Sequence, residues 1–128
     1  MTNRISTIAI VVRDYDEAID YFTGSLGFDL VCDERLSETK RWVKVKPEGS
    51  ECAILLAKAK NDQELGAVGN QTGGRVFLFL STDNFQETYQ RFKEKGIKFT
   101  EEPRDEAYGR VVVFEDLYGN LWDLVEAR

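Results

Sequence analysis

The sequence predicts an α+β fold in which two tandem βαβββ modules form a cupped, partly closed mixed sheet with the helices on the outside. Two near-continuous apolar runs, Ile5–Val12 and Val76–Leu80, have the composition of strands covered on both faces. Each run precedes a capped segment of helical period, and each half of the chain then ends in two strand-like runs joined by a turn. We expect one domain, with module 1 at 1–57, a linker at 58–74 and module 2 at 75–128.

The first module begins its helix at Asp14, which has Glu17 three residues later in the spacing of a capping box. Gly27 is placed to end this helix in the left-handed conformation. Between them lies one apolar stripe, formed by Tyr15, Ala18, Ile19, Phe22 and Leu26. Strands are predicted at Phe28–Cys32, Arg41–Lys46 and Cys52–Ala57. The polar segment Asp33–Thr39 is interpreted as a loop.

The linker Lys58–Gly74 is polar, and we expect one short helix around Asp62–Ala67 within it. It is interpreted either as a simple spacer or as a mobile flap. The second module then repeats the first at an offset of 70. The matching positions are Asp14, Tyr15, Glu17, Ile19 and Phe22 with Asn84, Phe85, Glu87, Tyr89 and Phe92. Its remaining strands are predicted at Ile97–Thr100, Arg110–Glu115 and Leu121–Glu126, with Glu101–Tyr108 as a polar loop.

Composition excludes several classes of function. The formal charge of −6, with no basic cluster, argues against nucleic acid or an anionic membrane as the partner. The apolar run near the N-terminus is too short for a signal peptide or a membrane span. Because the chain has no histidine, it has no Cys–His or Ser–His nucleophile pair. Cys32 and Cys52 give no disulfide framework, so we expect them to be small buried residues in strands of a cytoplasmic protein.

Four stretches of the chain resemble the vicinal oxygen chelate superfamily, which includes glyoxalase I, the extradiol dioxygenases and the fosfomycin-resistance and bleomycin-binding proteins. They are Ile5–Asp14, Ala18–Phe28, Phe77–Asp83 and Phe114–Glu126. The resemblance implies four metal-ligand positions, one on each of four strands that face the cup. These positions fall on Thr7, Leu55 (or Leu56), Phe77 and Asp123. Because only Asp123 among them can bind a metal, we expect no metal site and no cofactor.

The alternation of a strand places Ala9, Phe79 and Val125 on the same face as these positions. The expected lining of the cup is therefore apolar and aromatic with one acid, Asp123, which suits a binding pocket. Asp123 is interpreted either as an anchor for a ligand amine or amide, or as a carboxylate paired within the protein. Its internal partners would be Arg41, Arg75 or Arg110. Acid–base catalysis by Asp123 is a further alternative, although no partner base is visible.

Other side chains are candidates for ligand contact. Trp42, next to Arg41, is placed to stack on a planar ligand, and Tyr108 is placed at the rim with a phenol to donate. Trp122 is interpreted as a structural residue, with stacking as the alternative. Phe77 and Phe79 suit pocket lining and core packing equally well.

We therefore predict a metal-free binding protein for an apolar or aromatic small molecule, and favour this over an enzyme. The predicted ligand-binding residues are Thr7, Arg41, Trp42, Leu55, Phe77, Phe79, Tyr108 and Asp123. The alternative is a glyoxalase-like lyase or isomerase, or a dioxygenase, with an atypical metal site or metal-free chemistry at Asp123. A third hypothesis is a module whose cup is filled by its own side chains and whose partner is another protein. The resemblance also implies a homodimer.

Overall fold

The computed structural model describes residues 1–127 and divides into two compact units, Met1–Val68 and a second that begins at Gly69. The first unit contains β1 (Thr7–Val12), α1 (Tyr15–Ile19), β2 (Asp29–Arg35), β3 (Arg41–Lys46), β4 (Ala53–Lys58) and α2 (Asp62–Ala67). Its sheet has the order β1-β4-β3-β2, with β1 and β4 parallel and the other pairs antiparallel.

The second unit repeats this topology. It contains β5 (Val76–Ser81), α3 (Phe85–Glu94), β6 (Lys98–Phe99), β7 (Arg104–Glu106), β8 (Gly109–Glu115) and β9 (Leu121–Ala127). Its sheet has the order β5-β9-β8-β6, with β5 and β9 parallel and β7 paired to β8. The predicted α+β fold and the βαβββ repeat are confirmed. None of the helices in residues 1–127 is long and apolar enough to cross a bilayer.

Both predicted helix caps are present. The Asp14 carboxylate accepts a hydrogen bond from the Glu17 backbone N–H at 2.9 Å, and the Asn84 side chain accepts one from the Glu87 N–H at 3.2 Å. The first helix differs from the prediction in its second half, because Asp20–Ser25 is π-helical. The wider turn keeps Phe22 fully buried. An apolar stripe of about three turns does not distinguish this geometry from an α-helix.

Two segments that we interpreted as loops contain strands. β2 continues to Arg35, and β7 lies inside the predicted loop Glu101–Tyr108. The residues that extend β2, Asp33–Arg35, are polar and exposed, and β7 is polar along its whole length, so neither segment has the apolar alternation that marks a half-buried strand. The expectation for the cysteines was also wrong in part: Cys52 precedes β4, and both thiols are only partly buried.

The turn between β8 and β9 is organised by the buried carboxylate of Asp116. One of its oxygens accepts hydrogen bonds from the backbone N–H groups of Tyr118, Gly119 and Asn120 at 3.0–3.1 Å. The other accepts from the Asn120 side chain and from the Trp122 indole, both at 3.0 Å. This carboxylate therefore fixes the turn and ties the indole that fills the core beneath the sheet.

The end of the predicted linker is attached to the same turn. The Gln71 N–H donates to the Asn120 side-chain oxygen at 3.2 Å. Gly69 has a φ of +76°, and a Cβ at this position would collide with the backbone oxygen of Tyr118. A glycine is required there for both reasons. The short helix predicted at Asp62–Ala67 is present as α2.

The Asp116 network predicts a large effect of mutation. Asp116→Ala leaves several buried donors without an acceptor, so we expect the free energy of unfolding to fall by about 3 kcal/mol in urea denaturation. Asp83→Ala, which removes an exposed carboxylate in the same unit, is the matched control and should change it by less than about 0.5 kcal/mol. Equal effects of the two substitutions would contradict the role assigned to Asp116.

Candidate functional site

The first unit carries a groove of about 590 Å³ where β4 ends and the chain turns into α2. We call it the unit 1 groove. It is lined by Tyr15, residues 39–42, residues 55–60 and Glu64. Its size lies in the range of pockets that hold a small organic ligand. Three predicted ligand-binding residues on neighbouring strands, Arg41, Trp42 and Leu55, are brought together in its lining.

Trp42 provides the exposed aromatic surface of the unit 1 groove. Its neighbours Val43 and Val45 are fully buried, and because strand side chains alternate, Trp42 lies on the opposite face of β3. Its side chain is 38% exposed, and the Lys44 ammonium lies 6.0 Å from the ring centroid. A partly exposed indole at the mouth of a groove can stack on a planar ligand.

Arg41 forms one wall of the groove and is held by two carboxylates. It makes a bidentate pair with Asp33, at 3.1 Å through Nε and 2.6 Å through Nη2, and Nη1 bonds Asp16 at 2.9 Å. Its hydrogen bond to Asp33, and then the one to Asp16, raise the pKa of the guanidinium, and the same Arg41 hydrogen bond lowers the pKa of Asp33. The Arg41 N–H also donates to the Tyr15 hydroxyl at 3.2 Å. The guanidinium is therefore fixed in place, and its charge is largely matched locally.

Asp123 lies in the second unit, on the face of β9 opposite Trp122. The register pairs it with Val113 on one side and Phe79 on the other. Asp123 is 8% exposed, yet its Oδ1 has no hydrogen-bond partner among the described residues. Phe79 beside it is 67% exposed. The structure thus places an unsatisfied carboxyl next to an uncovered aromatic ring.

Burial raises the pKa of Asp123, because desolvation disfavours the charged carboxylate. The charge of Arg104 opposes this shift, and that of Glu101 adds to it. Arg104 is itself engaged by Glu101 at 2.9 Å and Glu106 at 2.6 Å, which limits what it offers to Asp123. Asp123 was considered as an internal ion-pair partner of Arg75 or Arg110. Neither guanidinium donates a hydrogen bond to its Oδ1.

The remaining predicted residues lie on a sheet face, at a strand irregularity and in a turn. In the first unit, Ala9 pairs with Leu55, so Thr7, two residues before Ala9, lies on that face of β1. In the second unit, Phe77 sits at a register shift between Val76 and Leu78. The hydrogen bond of Arg104 to Glu101, and then the one to Glu106, raise the pKa of Arg104, and the exposed side chain of Tyr108 adds to this shift.

Some residues around these faces were missed by sequence reasoning. Glu101 and Arg104 affect the pKa of Asp123 but were assigned to a polar loop. Their opposite charges, three residues apart, are visible in the sequence. The groove is also lined by three lysines. Lys40 belonged to no predicted element, and Lys58 and Lys60 belonged to the predicted linker. The signal that could have found them is the density of lysine at 58 and 60, at the end of an apolar strand.

The residues present do not fit a metal ion. Of the four ligand positions implied by the resemblance, Thr7, Leu55 and Phe77 carry no strong metal donor. Within residues 1–127, no group of three or more Cys, Asp or Glu side chains lies close enough together to share a metal. A catalytic divalent ion needs several such donors.

Comparisons with other proteins agree on the fold. The model of the Glyoxalase/Bleomycin resistance protein/Dioxygenase superfamily matches residues 4–124. A protein of Shewanella frigidimarina (strain NCIMB 400) is 52% identical over 128 residues, which cover 98% of this chain and 95% of that protein. YetH of Bacillus subtilis (strain 168) is 30% identical over 98% of this chain and 100% of its own.

Solved structures are similar as well. UcmS2 has a TM-score of 0.84 and 28% identity, with 98% of each chain covered. A superfamily member from Sphaerobacter thermophilus DSM 20745 has a TM-score of 0.75 and 27% identity, also with 98% of each covered. TnmS3, an antibiotic binding protein from Streptomyces sp. CB03234, has a TM-score of 0.80, with 99% of this chain and 98% of its own covered. Its identity of 24% shows a shared fold alone.

The state of Asp123 predicts a stabilising substitution. Asp123→Leu removes a buried, unsatisfied acceptor, so the free energy of unfolding near pH 7 should rise by about 1 kcal/mol. Because its pKa is raised, the Asp123 carboxyl stays protonated to a higher pH in the folded protein than in the unfolded chain. The free energy of unfolding of the wild type therefore increases as the pH falls from the folded pKa towards the unfolded one. The advantage of the variant should therefore shrink as the pH is lowered towards about 4.

Urea denaturation across this pH range measures the effect. Asp29→Leu, at an exposed position of β2, is the matched control and should show no such pH-dependent gain. A loss of stability in Asp123→Leu at neutral pH would contradict the unsatisfied state of the carboxyl.

Proposed function

Because the chain belongs to the Glyoxalase/Bleomycin resistance protein/Dioxygenase superfamily, we propose that it is a metal-free binding protein for an apolar or aromatic small molecule. The observation that carries the proposal is the unit 1 groove, which combines a volume suited to a ligand with the exposed indole of Trp42 and the apolar side chain of Leu55. The groove joins apolar and aromatic contact surface to polar and charged side chains, and small-molecule sites commonly combine the two.

Two further observations support binding over metal catalysis. The donor set at the four ligand positions implied by the family does not suit a divalent ion. TnmS3, which shares this fold, is described as an antibiotic binding protein, so the fold is compatible with binding a small molecule. In our proposal, Trp42 and Leu55 provide contact area, and Arg41 gives the groove a rigid wall.

Asp123 has a separate part in the proposal. Its unsatisfied Oδ1 is an acceptor for a ligand N–H or O–H, and the exposed ring of Phe79 beside it offers apolar contact. The second candidate function, metal-free acid–base chemistry, is favoured by the raised pKa of this same carboxyl. Binding is preferred because a proton transfer also needs a second positioned group, and the charged neighbours of Asp123, Glu101 and Arg104, are already paired with each other.

Binding can be followed through the protein's own fluorescence. Of the two tryptophans, Trp122 is 2% exposed and Trp42 is 38% exposed, so a ligand in the unit 1 groove should quench mainly Trp42. Phenanthrene-9-carboxamide, a neutral planar probe, should give saturable quenching. Trp42→Phe should abolish this quenching, while calorimetry still detects binding of the probe to that variant.

Leu55→Asp should weaken the same probe at least about tenfold, because it places a charge on the apolar floor of the groove. Leu117→Asp, at an exposed position of the second unit, is the matched control. If neither calorimetry nor fluorescence detected any planar probe, the proposal would fail, and the reading of a module filled by its own side chains would gain support.

We also propose that the protein is a homodimer in the reducing cytoplasm. Native mass spectrometry tests both this oligomeric state and the absence of a bound metal ion. The purified protein should have about twice the chain mass of 14.7 kDa, without a bound divalent ion. A dimer is supported by the exposed apolar side chains of Leu30, Val31 and Leu36 on and after the edge strand β2. One tightly held metal per chain that Asp123→Ala removes would overturn the metal-free proposal, and a monomer at micromolar concentration would overturn the dimer.

A further inference from the structure

The charges around the unit 1 groove differ in sign from those of the whole chain. The chain carries a formal charge of −6, yet four of the side chains lining the groove are cationic and one, Glu64, is anionic. Arg41 is matched by Asp16 and Asp33, and Lys60 lies 3.9 Å from Glu64. The two remaining cations, Lys40 and Lys58, form no ion pair within residues 1–127.

The positions of these two lysines place positive charge at the rim of the groove. Lys40 directly precedes β3, next to Arg41 and Trp42, and Lys58 ends β4 three residues after Leu55. Both are exposed, so their ammonium groups are free to turn towards a ligand. Glu34 on β2 pairs with Trp42 in the register, and the Lys44 ammonium adds a further positive charge 6.0 Å from the centroid of the indole ring.

We propose that the unit 1 groove selects planar aromatic acids, with the ring against Trp42 and Leu55 and the acidic group between Lys40 and Lys58. This inference rests on the proposed binding function and adds the charge of the ligand to it. An apolar floor alone would not distinguish a neutral compound from an acid. Two unpaired ammonium groups at the rim favour the anion, and two exposed lysines give that preference without a buried charge.

Three probes of one shape separate charge from stacking. They are phenanthrene-9-carboxylate, phenanthrene-9-carboxamide and 9-phenanthrylmethylammonium, measured by calorimetry at low salt. We expect the carboxylate to bind about tenfold more tightly than the amide and the ammonium to bind most weakly. The preference should shrink at an ionic strength of about 0.5 M, because salt screens the interaction between exposed charges.

Substitution of the lysines locates the effect. Lys40→Gln combined with Lys58→Gln should reduce the affinity for the carboxylate until it is close to the affinity for the amide. Lys95→Gln, at an exposed lysine in the second unit, is the matched control and should leave both unchanged. Because all three lysines are exposed, circular dichroism should show unchanged folding.

The outcomes separate this inference from the proposed function. Equal affinity for the carboxylate and the amide, or a preference that survives the double substitution, would overturn the inference while binding itself stands. Tightest binding of the ammonium probe would also overturn it. If none of the three probes bound, both the inference and the proposed function would fail.

Discussion

The second unit depends on one buried carboxylate, that of Asp116. Its two oxygens accept hydrogen bonds from three backbone N–H groups of the turn, from one side-chain amide and from the Trp122 indole. A buried acceptor that is fully used in this way fixes both the shape of the turn and the strand that follows it. Because Trp122 is thereby directed into the core beside Phe114, the next residue must lie on the other face of β9. The position of Asp123 is a consequence of the bonds made by Asp116.

The same hairpin therefore holds two buried acids in opposite states. Asp116 has its hydrogen-bonding capacity occupied, whereas Asp123 Oδ1 has no partner in the described chain. The first acid stabilises the fold, and the second weakens it, because a buried acceptor without a donor costs free energy. A destabilising polar group that the rest of the sheet does not require is typical of a functional site. This contrast, more than the location of Asp123 alone, is the reason that we propose a functional role for it.

Much of the fold could be predicted from the sequence because its signals are local. The caps at Asp14 and Asn84 and the offset of 70 between modules identify the repeat. The polar strand β7 could not be predicted, because it carries no apolar alternation. The surroundings of Asp123 were missed for the same reason, since Glu101 and Arg104 lie in or beside that strand. The charge of the unit 1 groove depends on bringing residue 40 beside residues 58–60, which only the pairing of strands reveals.

The two units use equivalent positions for different chemistry. Ala9 pairs with Leu55 on the parallel strands of the first unit, as Phe79 pairs with Asp123 in the second. The backbone is thus the same while the side chains range from small and apolar to aromatic and acidic. Shared topology explains why the fold was predictable, and it leaves the chemistry to the side chains at each paired position. The first unit combines its apolar pair with lysines at a groove, and the second combines its acid with an exposed ring. We therefore propose that a ligand for the first is selected by stacking and by negative charge, whereas one for the second must bring a hydrogen-bond donor.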